Sequence, residues 1–246
     1  MEVLGIDIGG SGIKGAPVDT DRGEMLAPRF RLRTPSPAEP RPVAETVSQI
    51  VKHFSWKGPM GIGFPGVIRK GVTLTAANIH EDWVGLNAAK FINKVTGHKT
   101  CFINDADAAG LAEMAFGAGK DRLGVVMLVT IGTGLGTALF TDGHLLPNSE
   151  FGHLKIDGVE AEWMASDAAR KRENLSWKKW AHRFDNFLQT MERLLWPDLI
   201  ILGGGISKKH DQFLKYLTVQ AEVIPAQMLN EAGIIGAAVG TCKQSN

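Results

Sequence analysis

The strongest constraint on the fold is a pattern that occurs twice: a β-rich segment, a glycine-rich turn and a second β-rich segment. It is found at residues 3–18 (VLGIDIGGSGIKGAPV) and again at residues 124–141 (GVVMLVTIGTGLGTALFT). A strand rather than a helix follows each turn, so both segments are predicted to be hairpins. Because each hairpin leads a similar run of helices and strands, we expect an α/β protein with two lobes and a central cleft.

Composition removes several classes of function. The 246 residues carry 27 basic and 26 acidic side chains, which argues against a general nucleic-acid surface, although a local basic patch is compatible with that balance. Only two cysteines occur, and the apolar runs are too short to span a bilayer. Because the first residues read directly into a strand, we expect no leader segment. We expect a cytoplasmic protein that binds neither nucleic acid nor membrane.

The order of predicted elements divides the chain into two domains. A smaller N-terminal α/β lobe is expected over residues 1–104 and a larger one over 105–231, with a C-terminal helix at about 232–246 packing back onto the first lobe. Apolar spacing predicts the other helices and a third strand. The helices are expected at residues 43–54, 86–96, 107–119, 160–172, 177–195 and 208–217, and the strand at 25–33.

The first glycine turn is a candidate phosphate site. Its glycines allow a hairpin backbone to approach phosphate oxygens with its N–H groups, while Asp7 reaches a magnesium ion through water. A tight hairpin that needs glycine for its own geometry is an equally good explanation of this segment taken alone. The candidate residues are Asp7, Gly9, Gly10, Ser11, Gly12 and Lys14.

The second glycine turn strengthens the phosphate interpretation, because two such turns suit the two sides of one phosphate chain. The spacing of its glycines does not match a dinucleotide-binding fingerprint, and no Walker sequence occurs. The candidate residues are Thr130, Gly132, Thr133 and Gly134. Gly204, in the turn after the apolar strand at 198–203, is a candidate floor for a phosphate or nucleotide, although a sharp turn also explains it.

Asn104 and Asp105 lie where a predicted strand ends and a helix begins, the edge of an α/β sheet at which ligands bind. An aspartate at this position, Asp105 or Asp107, often does no more than cap the helix. The preceding asparagine favours catalysis, because its amide suits a sugar hydroxyl while Asp105 accepts the proton of a neighbouring hydroxyl.

Two further segments contain polar residues that are candidates for ligand binding, and each also has a purely structural explanation. Glu150 and His153 follow the second hairpin and suit sugar hydroxyls better than a metal, although a lone histidine is more often a structural hydrogen-bonding group. The basic run of Arg170, Lys171 and Arg172, continued by Lys178 and Lys179, is either a solvated helix face or a track for a polyanion.

Taken in order, the motifs resemble the ROK family of sugar kinases within the hexokinase and actin superfamily. The family motifs run nearly end to end, and several other stretches resemble the members of that family that use polyphosphate. The family motifs are GIDIGGSGIKG, GFPG, TAAN, INDADAAGLAE, TIGTGLGTALF, EFGH and LIILGGGIS, and the narrower ones include RLRTPSPAEP and ARKRENLSWKKWA. The resemblance implies a bilobal, actin- and hexokinase-like (ribonuclease H-like) fold and a homodimer.

The resemblance also implies a reaction and its residues. It implies transfer of a phosphoryl group from inorganic polyphosphate, or also from ATP, to O6 of glucose with Mg²⁺, with Asp105 as the base. The glucose ligands it implies are Gly66, Asn78, Asn104, Asp105, Glu150, His153 and Glu162, while the two glycine turns and Gly204 hold the donor. Lys14 and the run from Arg170 to Lys179 become candidates for a polyphosphate groove.

One segment departs from the family, and other members of the superfamily supply rival functions. Most ROK kinases bind structural zinc through three cysteines and the histidine of the Glu-x-Gly-His element, but residues 154–166 contain no cysteine, so zinc is not expected. An ATP-dependent glucokinase or a glucomannokinase remains an alternative. A sugar-responsive repressor would need an N-terminal DNA-binding region, and an actin-like filament would have no use for Asn104 and Asp105.

Overall fold

The computed structural model describes residues 1–77 and 79–243, and the chain forms two compact units. The first unit comprises Met1–Ala112 and the segment from Glu231 onward, and the second comprises Glu113–Asn230. Among the described residues, no helix has both the length and the apolar character required to cross a bilayer. The α/β class predicted from the sequence is confirmed. The domain boundary before Asp105 and the cleft stay predictions.

The first unit is built on a six-stranded mixed sheet. Strands β1 and β2 form the predicted hairpin, and β5 and β8 extend the sheet in parallel on the other side of β1. Parallel strands present their carboxyl ends at one edge, so the ends of β1, β5 and β8 lie side by side. The strands are β1 (Glu2–Gly9), β2 (Gly12–Asp19), β3 (Glu24–Met25), β4 (Phe30–Leu32), β5 (Met60–Phe64), β6 (Ile68–Arg69), β7 (Val72–Thr73) and β8 (Thr100–Asn104), with β6 and β7 forming a separate ribbon.

Four helices accompany this sheet. Helix α1 starts with a proline, whose missing N–H would have no partner in a first turn, and it buries one apolar face that includes Val43, Val47 and Ile50. The C-terminal helix α7 packs against β1 and β5. The helices are α1 (Pro40–His53), α2 (Ala88–Thr96), α3 (Asp105–Phe116), which continues into the second unit, and α7 (Ala232–Lys243).

The second unit repeats the arrangement of the first. Its hairpin, β9 and β10, is extended by two parallel strands beside β9, so the predicted repetition extends to the order of the strands in each sheet. The strands are β9 (Val125–Ile131), β10 (Leu135–Thr141), β11 (His144–Leu146), β12 (Lys155–Ile156), β13 (Val159–Glu160), β14 (Leu199–Gly203) and β15 (Glu222–Pro225), with β12 and β13 as a separate ribbon.

Helix α6 provides most of the apolar cover in this unit. Ser176 caps its first turn by accepting a hydrogen bond from the N–H of Lys179, and its buried face carries Trp180, Phe184 and Leu188. The helices of the second unit are α4 (Ala161–Ala165), α5 (Asp167–Arg172) and α6 (Trp177–Leu195).

Three predicted elements differ from the structure. The helix expected over residues 160–172 is divided at Ser166, whose backbone is extended and whose hydroxyl caps α5 by accepting from the N–H of Ala169. The strand expected at 25–33 is two short strands, because Pro28 lies between them and lacks an N–H. The helix expected at 208–217 is instead two 3₁₀ segments, Gly205–Gln212 and Leu214–Tyr216.

Candidate active site

The first glycine turn consists of Gly10 and Ser11, both exposed, because β1 and β2 remain paired as far as Gly9 and Gly12. Arg31 lies across this turn, and its Nη2 donates a hydrogen bond of 3.0 Å to the carbonyl oxygen of Ser11. A Cβ at Gly12 would lie 2.6 Å from Nε of Arg31, closer than real side chains approach. A side chain at residue 12 would therefore push the guanidinium of the exposed Arg31 away from the turn.

Asp7 and Lys14 face each other across the same hairpin. They are cross-strand partners, and Nζ of Lys14 lies 2.7 Å from Oδ2 of Asp7, with both side chains mostly buried. The first turn of α7 approaches the same carboxylate, because a Cβ at Gly233 would lie 3.1 Å from Oδ2. The sequence prediction placed Lys14 on phosphate and Asp7 on magnesium, and in the structure the two charges first of all neutralise each other.

The cap of helix α3 is Asn104. Its Oδ1 accepts hydrogen bonds from the N–H groups of Ala106 (2.9 Å) and Asp107 (3.0 Å), and its Nδ2 donates to the carbonyl oxygen of Gly66 (3.2 Å). The carboxylate of Asp105 accepts a hydrogen bond of 2.8 Å from the N–H of its neighbour Ala106. The capping role considered for Asp105 or Asp107 thus falls to the buried asparagine. Whether Asn104 also binds a sugar hydroxyl stays a prediction.

Asp105 lies at the same sheet edge as the first glycine turn. Residues Asp7, Gly63 and Ile103 are in register across β1, β5 and β8, and Asp105 follows two residues later. A Cβ at Gly63 would lie 3.7 Å from Cα of Asp105. The predicted base therefore lies beside the strand that pairs with Asp7, a residue of the predicted donor site. Asn78, predicted as a sugar ligand, lies outside the described residues.

The second glycine turn is residues 132–134, because β9 and β10 are paired from Ile131 and Leu135 onward. It is closed by a hydrogen bond of 3.0 Å from the N–H of Gly132 to the carbonyl oxygen of Gly134. Helix α5 is tied to the turn, since the N–H of Ala168 donates to the carbonyl oxygen of Gly132 at 3.2 Å. The carboxylate of Glu162 lies directly against Gly134. A predicted donor turn and a predicted sugar ligand are thus in contact.

The Glu-x-Gly-His element forms a single 3₁₀ turn, Phe151–His153, packed on the start of β10. Gly152 faces the carbonyl oxygen of Leu135 so closely that no Cβ would fit. The preceding backbone is held by the buried Thr137, whose hydroxyl accepts from the N–H of Phe151 at 3.2 Å. These contacts place Glu150 and His153 next to the second glycine turn.

His153 is surrounded by three glutamates. Its Nδ1 lies 3.1 Å from Glu160 and 3.8 Å from Glu162, and its Nε2 lies 3.7 Å from Glu150. The side-chain hydrogen bond to Glu160 raises the pKa of His153, partial burial opposes the rise, and the charges of Glu162 and Glu150 add to it. Burial raises the pKa of Glu150, the charge of His153 opposes this, and Glu162 adds to it.

His153 therefore has protein partners in addition to the sugar hydroxyl predicted for it. Ligand atoms of His153, Glu160 and Glu162 lie within 4.8 Å of one another, a spacing that a cation could bridge. The absence of structural zinc stays a prediction.

The remaining candidates from the sequence are Gly204 and the basic run from Arg170 to Lys179. Gly204 has a φ of 78° and packs against Ile131, the last residue before the second glycine turn. Most of the basic run is already paired: Arg170 and Lys171 both bind Asp167, at 3.0 and 2.6 Å. Arg172 binds Glu173 at 3.0 Å. Lys178 and Lys179 are exposed, and no ion pair is seen for them in the described chain.

A comparison with known protein families gives a match over most of the chain. The model of the ROK family matches residues 3–171, which include both hairpins, Asn104 and Asp105, and the Glu-x-Gly-His element. The chain belongs to the ROK family.

Individual relatives show which members of the ROK family this chain is similar to. It is 46% identical over 239 residues to the polyphosphate glucokinase of Mycobacterium tuberculosis strain CDC 1551, which covers 97% of this chain and 90% of the relative. The structure matches that of the inorganic polyphosphate/ATP-glucomannokinase of Arthrobacter sp. strain KM with a TM-score of 0.95, 44% identity and 99% of each chain covered. A ROK family glucokinase from Streptomyces griseus matches with a TM-score of 0.82 and 25% identity, over 97% and 98% of the two chains.

Two residues of the site were not predicted from the sequence: Arg31 and Glu160. Arg31 alternates with Leu32 in a short strand and looks like a solvated surface residue until the pairing of β4 with β2 places it over the glycine turn. Glu160 stands two residues before Glu162, and only the β12–β13 ribbon brings it to His153. Neither contact has a local sequence signal, because each depends on strand pairing.

Proposed function

We propose that this ROK family chain is a polyphosphate glucokinase, which transfers a phosphoryl group from inorganic polyphosphate to O6 of glucose. The observation that carries the proposal is the nearly end-to-end likeness to the mycobacterial polyphosphate glucokinase, joined with the TM-score of 0.95 to the Arthrobacter polyphosphate/ATP enzyme. The name of the second relative favours a second possibility, use of ATP as a donor and of mannose as an acceptor.

The proposed base is Asp105. It takes the proton of O6 as O6 attacks the terminal phosphorus; the bond from that phosphorus to the bridging oxygen breaks, and the chain leaves one phosphate shorter. The cap explains why this carboxylate is suited to the task, since Asn104 already satisfies two N–H groups of the first helical turn. We therefore give Asn104 a positioning part in addition to its predicted contact with the sugar.

The glucose ligands proposed in the second unit are Glu150, His153 and Glu162. Glu160 holds Nδ1 of His153, which leaves Nε2 on the side of Glu150 as the nitrogen for a sugar hydroxyl. Burial of Glu150, which raises its pKa, makes its carboxylate a stronger acceptor of hydroxyl hydrogens. Gly66, Asn78 and Asn104 complete the predicted sugar set from the first unit.

The donor site is proposed to consist of the two glycine turns and Gly204. Phosphoryl transfer depends on in-line positioning and on stabilisation of charge, for which backbone N–H groups, Lys14 and Arg31 are suited. A magnesium ion would supply further positive charge at the phosphates when bound.

Asp7 fits a magnesium ion held in the usual way for phosphate enzymes. Its Oδ2 accepts a hydrogen bond from Lys14, and in the described chain Oδ1 has no protein partner, so Oδ1 would be the atom that reaches the ion through water.

Three further points rest on family resemblance and composition. We propose that the two units close on glucose, which would exclude water as a competing acceptor. We also propose a homodimer and a cytoplasmic location; the presence of only two cysteines suits a reducing compartment.

The test is formation of glucose 6-phosphate with polyphosphate or ATP supplied separately, and with mannose in place of glucose. Polyphosphate is expected to support turnover, and a purified enzyme active with ATP alone would overturn the proposed donor. Asp105→Asn is expected to lower kcat by about 10²- to 10⁴-fold while glucose binding persists. Asp121→Asn is the control, because Asp121 is exposed and its left-handed backbone suits asparagine. Retention of turnover by Asp105→Asn would remove Asp105 from the role of base.

A further inference from the structure

The second unit carries two lysines that have no paired carboxylate among the residues that the structure describes. Lys208 and Lys209 are exposed residues of the 3₁₀ segment Gly205–Gln212, and neither forms an ion pair in the described chain. They differ in this from the basic run of α5, where Arg170, Lys171 and Arg172 are each paired with an acidic side chain. The two lysines of the 3₁₀ segment are therefore available to an anionic ligand, whereas the cations of α5 already have acidic partners.

This segment begins at the proposed donor site. It follows Gly204, which packs on Ile131 at the end of β9, and Gly203 is in register with Thr130. The hydroxyl of Ser207 donates to the carbonyl oxygen of Gly204 at 2.8 Å and fixes the start of the segment. Lys208 and Lys209 thus stand one turn beyond the edge of the sheet that carries residues 132–134.

Trp177 holds two cations together on the same surface. The guanidinium of Arg170 lies 4.2 Å from the centre of its ring, and Nζ of Lys209 lies 5.8 Å from it. The indole is fixed in turn by Phe213, stacked at 6.0 Å with an interplanar angle of 20°. Arg170 belongs to α5, which is tied to Gly132 by the hydrogen bond from Ala168. A continuous set of contacts therefore leads from the second glycine turn to Lys209.

We propose that Lys208 and Lys209, the second of which lies over the ring of Trp177, form a binding track for the distal phosphates of a polyphosphate chain whose terminal phosphate lies at the glycine turns. This inference rests on the proposed function and extends it to residues outside the reaction centre. A chain of repeated anions without bases is recognised by positive charge, and Lys208 and Lys209 carry two neighbouring positive charges with no paired carboxylate in the described chain.

The test uses the double charge reversal Lys208→Glu with Lys209→Glu, and compares long-chain with short-chain polyphosphate. The KM for long-chain polyphosphate is expected to rise by about tenfold or more, with kcat and the KM for glucose nearly unchanged. The effect should shrink for short chains, which reach the reaction centre without occupying the track. In the neutral variant, Lys208→Gln with Lys209→Gln, the dependence of KM on salt should also be weaker.

Lys215→Glu, with half the charge change of the double variant, is the control. Lys215 is an exposed lysine of the next 3₁₀ segment, its ammonium lies 5.3 Å from the ring of Tyr216 rather than on Trp177, and the variant carries a charge change of the same sign. It should retain the wild-type KM for long chains. Equal effects of the double variant and the control, or an equal effect on long and short chains, would overturn the track. If the wild-type enzyme uses no polyphosphate, the proposed function fails; if it does and the double variant matches it, only the track fails.

Discussion

Gly134 of the proposed donor site is in contact with Glu162 of the proposed sugar site. The addition of a single methyl group at residue 134 would therefore disturb the sugar site. A Cβ at residue 134 would overlap Oε2 of Glu162, and ordinary van der Waals contact begins near 3.4 Å, so the carboxylate must withdraw by about 1 Å. A Cβ at Gly132, in the same turn, would meet no protein atom within 4 Å. Neither glycine has a left-handed backbone, so the backbone conformation does not exclude alanine at either position.

The expected magnitudes follow from these two environments. A misplacement of about 1 Å at a substrate-positioning group lowers kcat/KM by up to about 10²-fold, which corresponds to roughly 2.7 kcal/mol. Gly134→Ala should therefore act mainly on glucose. Because the clash is with the flexible end of a side chain, the free energy of unfolding should change by less than about 1 kcal/mol. Gly132→Ala should act instead on the KM for the donor, since its methyl group enters the space assigned to phosphate.

The assay is steady-state formation of glucose 6-phosphate, with glucose varied at saturating polyphosphate and then polyphosphate varied at saturating glucose. Urea unfolding of both variants shows whether the fold is intact. The reasoning is refuted if Gly134→Ala and Gly132→Ala impair the same substrate, or if Gly134→Ala leaves the KM for glucose at its wild-type value.

Two predictions concern charges inside the second unit. Glu160→Gln removes the largest cause of the raised pKa of His153, so this pKa, followed by NMR of the ring protons, should fall. A raised folded-state pKa stabilises the fold fully below the unfolded pKa of histidine, and this stabilisation is lost as pH rises through the folded value. The wild type should therefore be more stable than the variant chiefly at acid pH, and this difference should decline on the alkaline side. An unchanged titration would contradict the assignment of Glu160. Glu113 is fully buried and accepts hydrogen bonds from the N–H groups of Ala118, Gln227 and Met228. Glu113→Ala should therefore lower the free energy of unfolding, measured by urea titration, by roughly 3 kcal/mol or more. A loss below about 1 kcal/mol would refute this account.

Parts of the fold with a local signal were predictable from the sequence. The two hairpins follow from alternating apolar residues around glycines, and α6 follows from its apolar face and the capping Ser176. The division of the helix at Ser166 was not predictable in the same way, because a serine inside a helical pattern is equally compatible with a continued helix. The outcome depends on Trp180, whose Nε1 donates to the carbonyl oxygens of Ala165 and Ser166 and holds the break.

The roles of Asn104 and Asp105 show the same limit within the site. The sequence places an amide and a carboxylate at a helix start, where either can serve as the cap, and only the hydrogen bonds of the folded chain distinguish them. Arg31 and Glu160 went unpredicted for a related reason: each reaches its partner through strand pairing between segments that are separate in sequence.

The glycines can be sorted by the reason the fold has for them. Six described glycines have open space where a Cβ would be, and four of these have a left-handed backbone that accounts for glycine: Gly85, Gly97, Gly143 and Gly158. The other two, Gly132 and Gly205, have neither a close neighbour nor an unusual φ. Both follow the ends of the paired strands β9 and β14, at the edge assigned to the donor. Where neither the packing nor the backbone conformation requires a glycine, a ligand that approaches the backbone explains it best. The effect of Gly132→Ala is therefore expected on the binding of the phosphoryl donor rather than on stability.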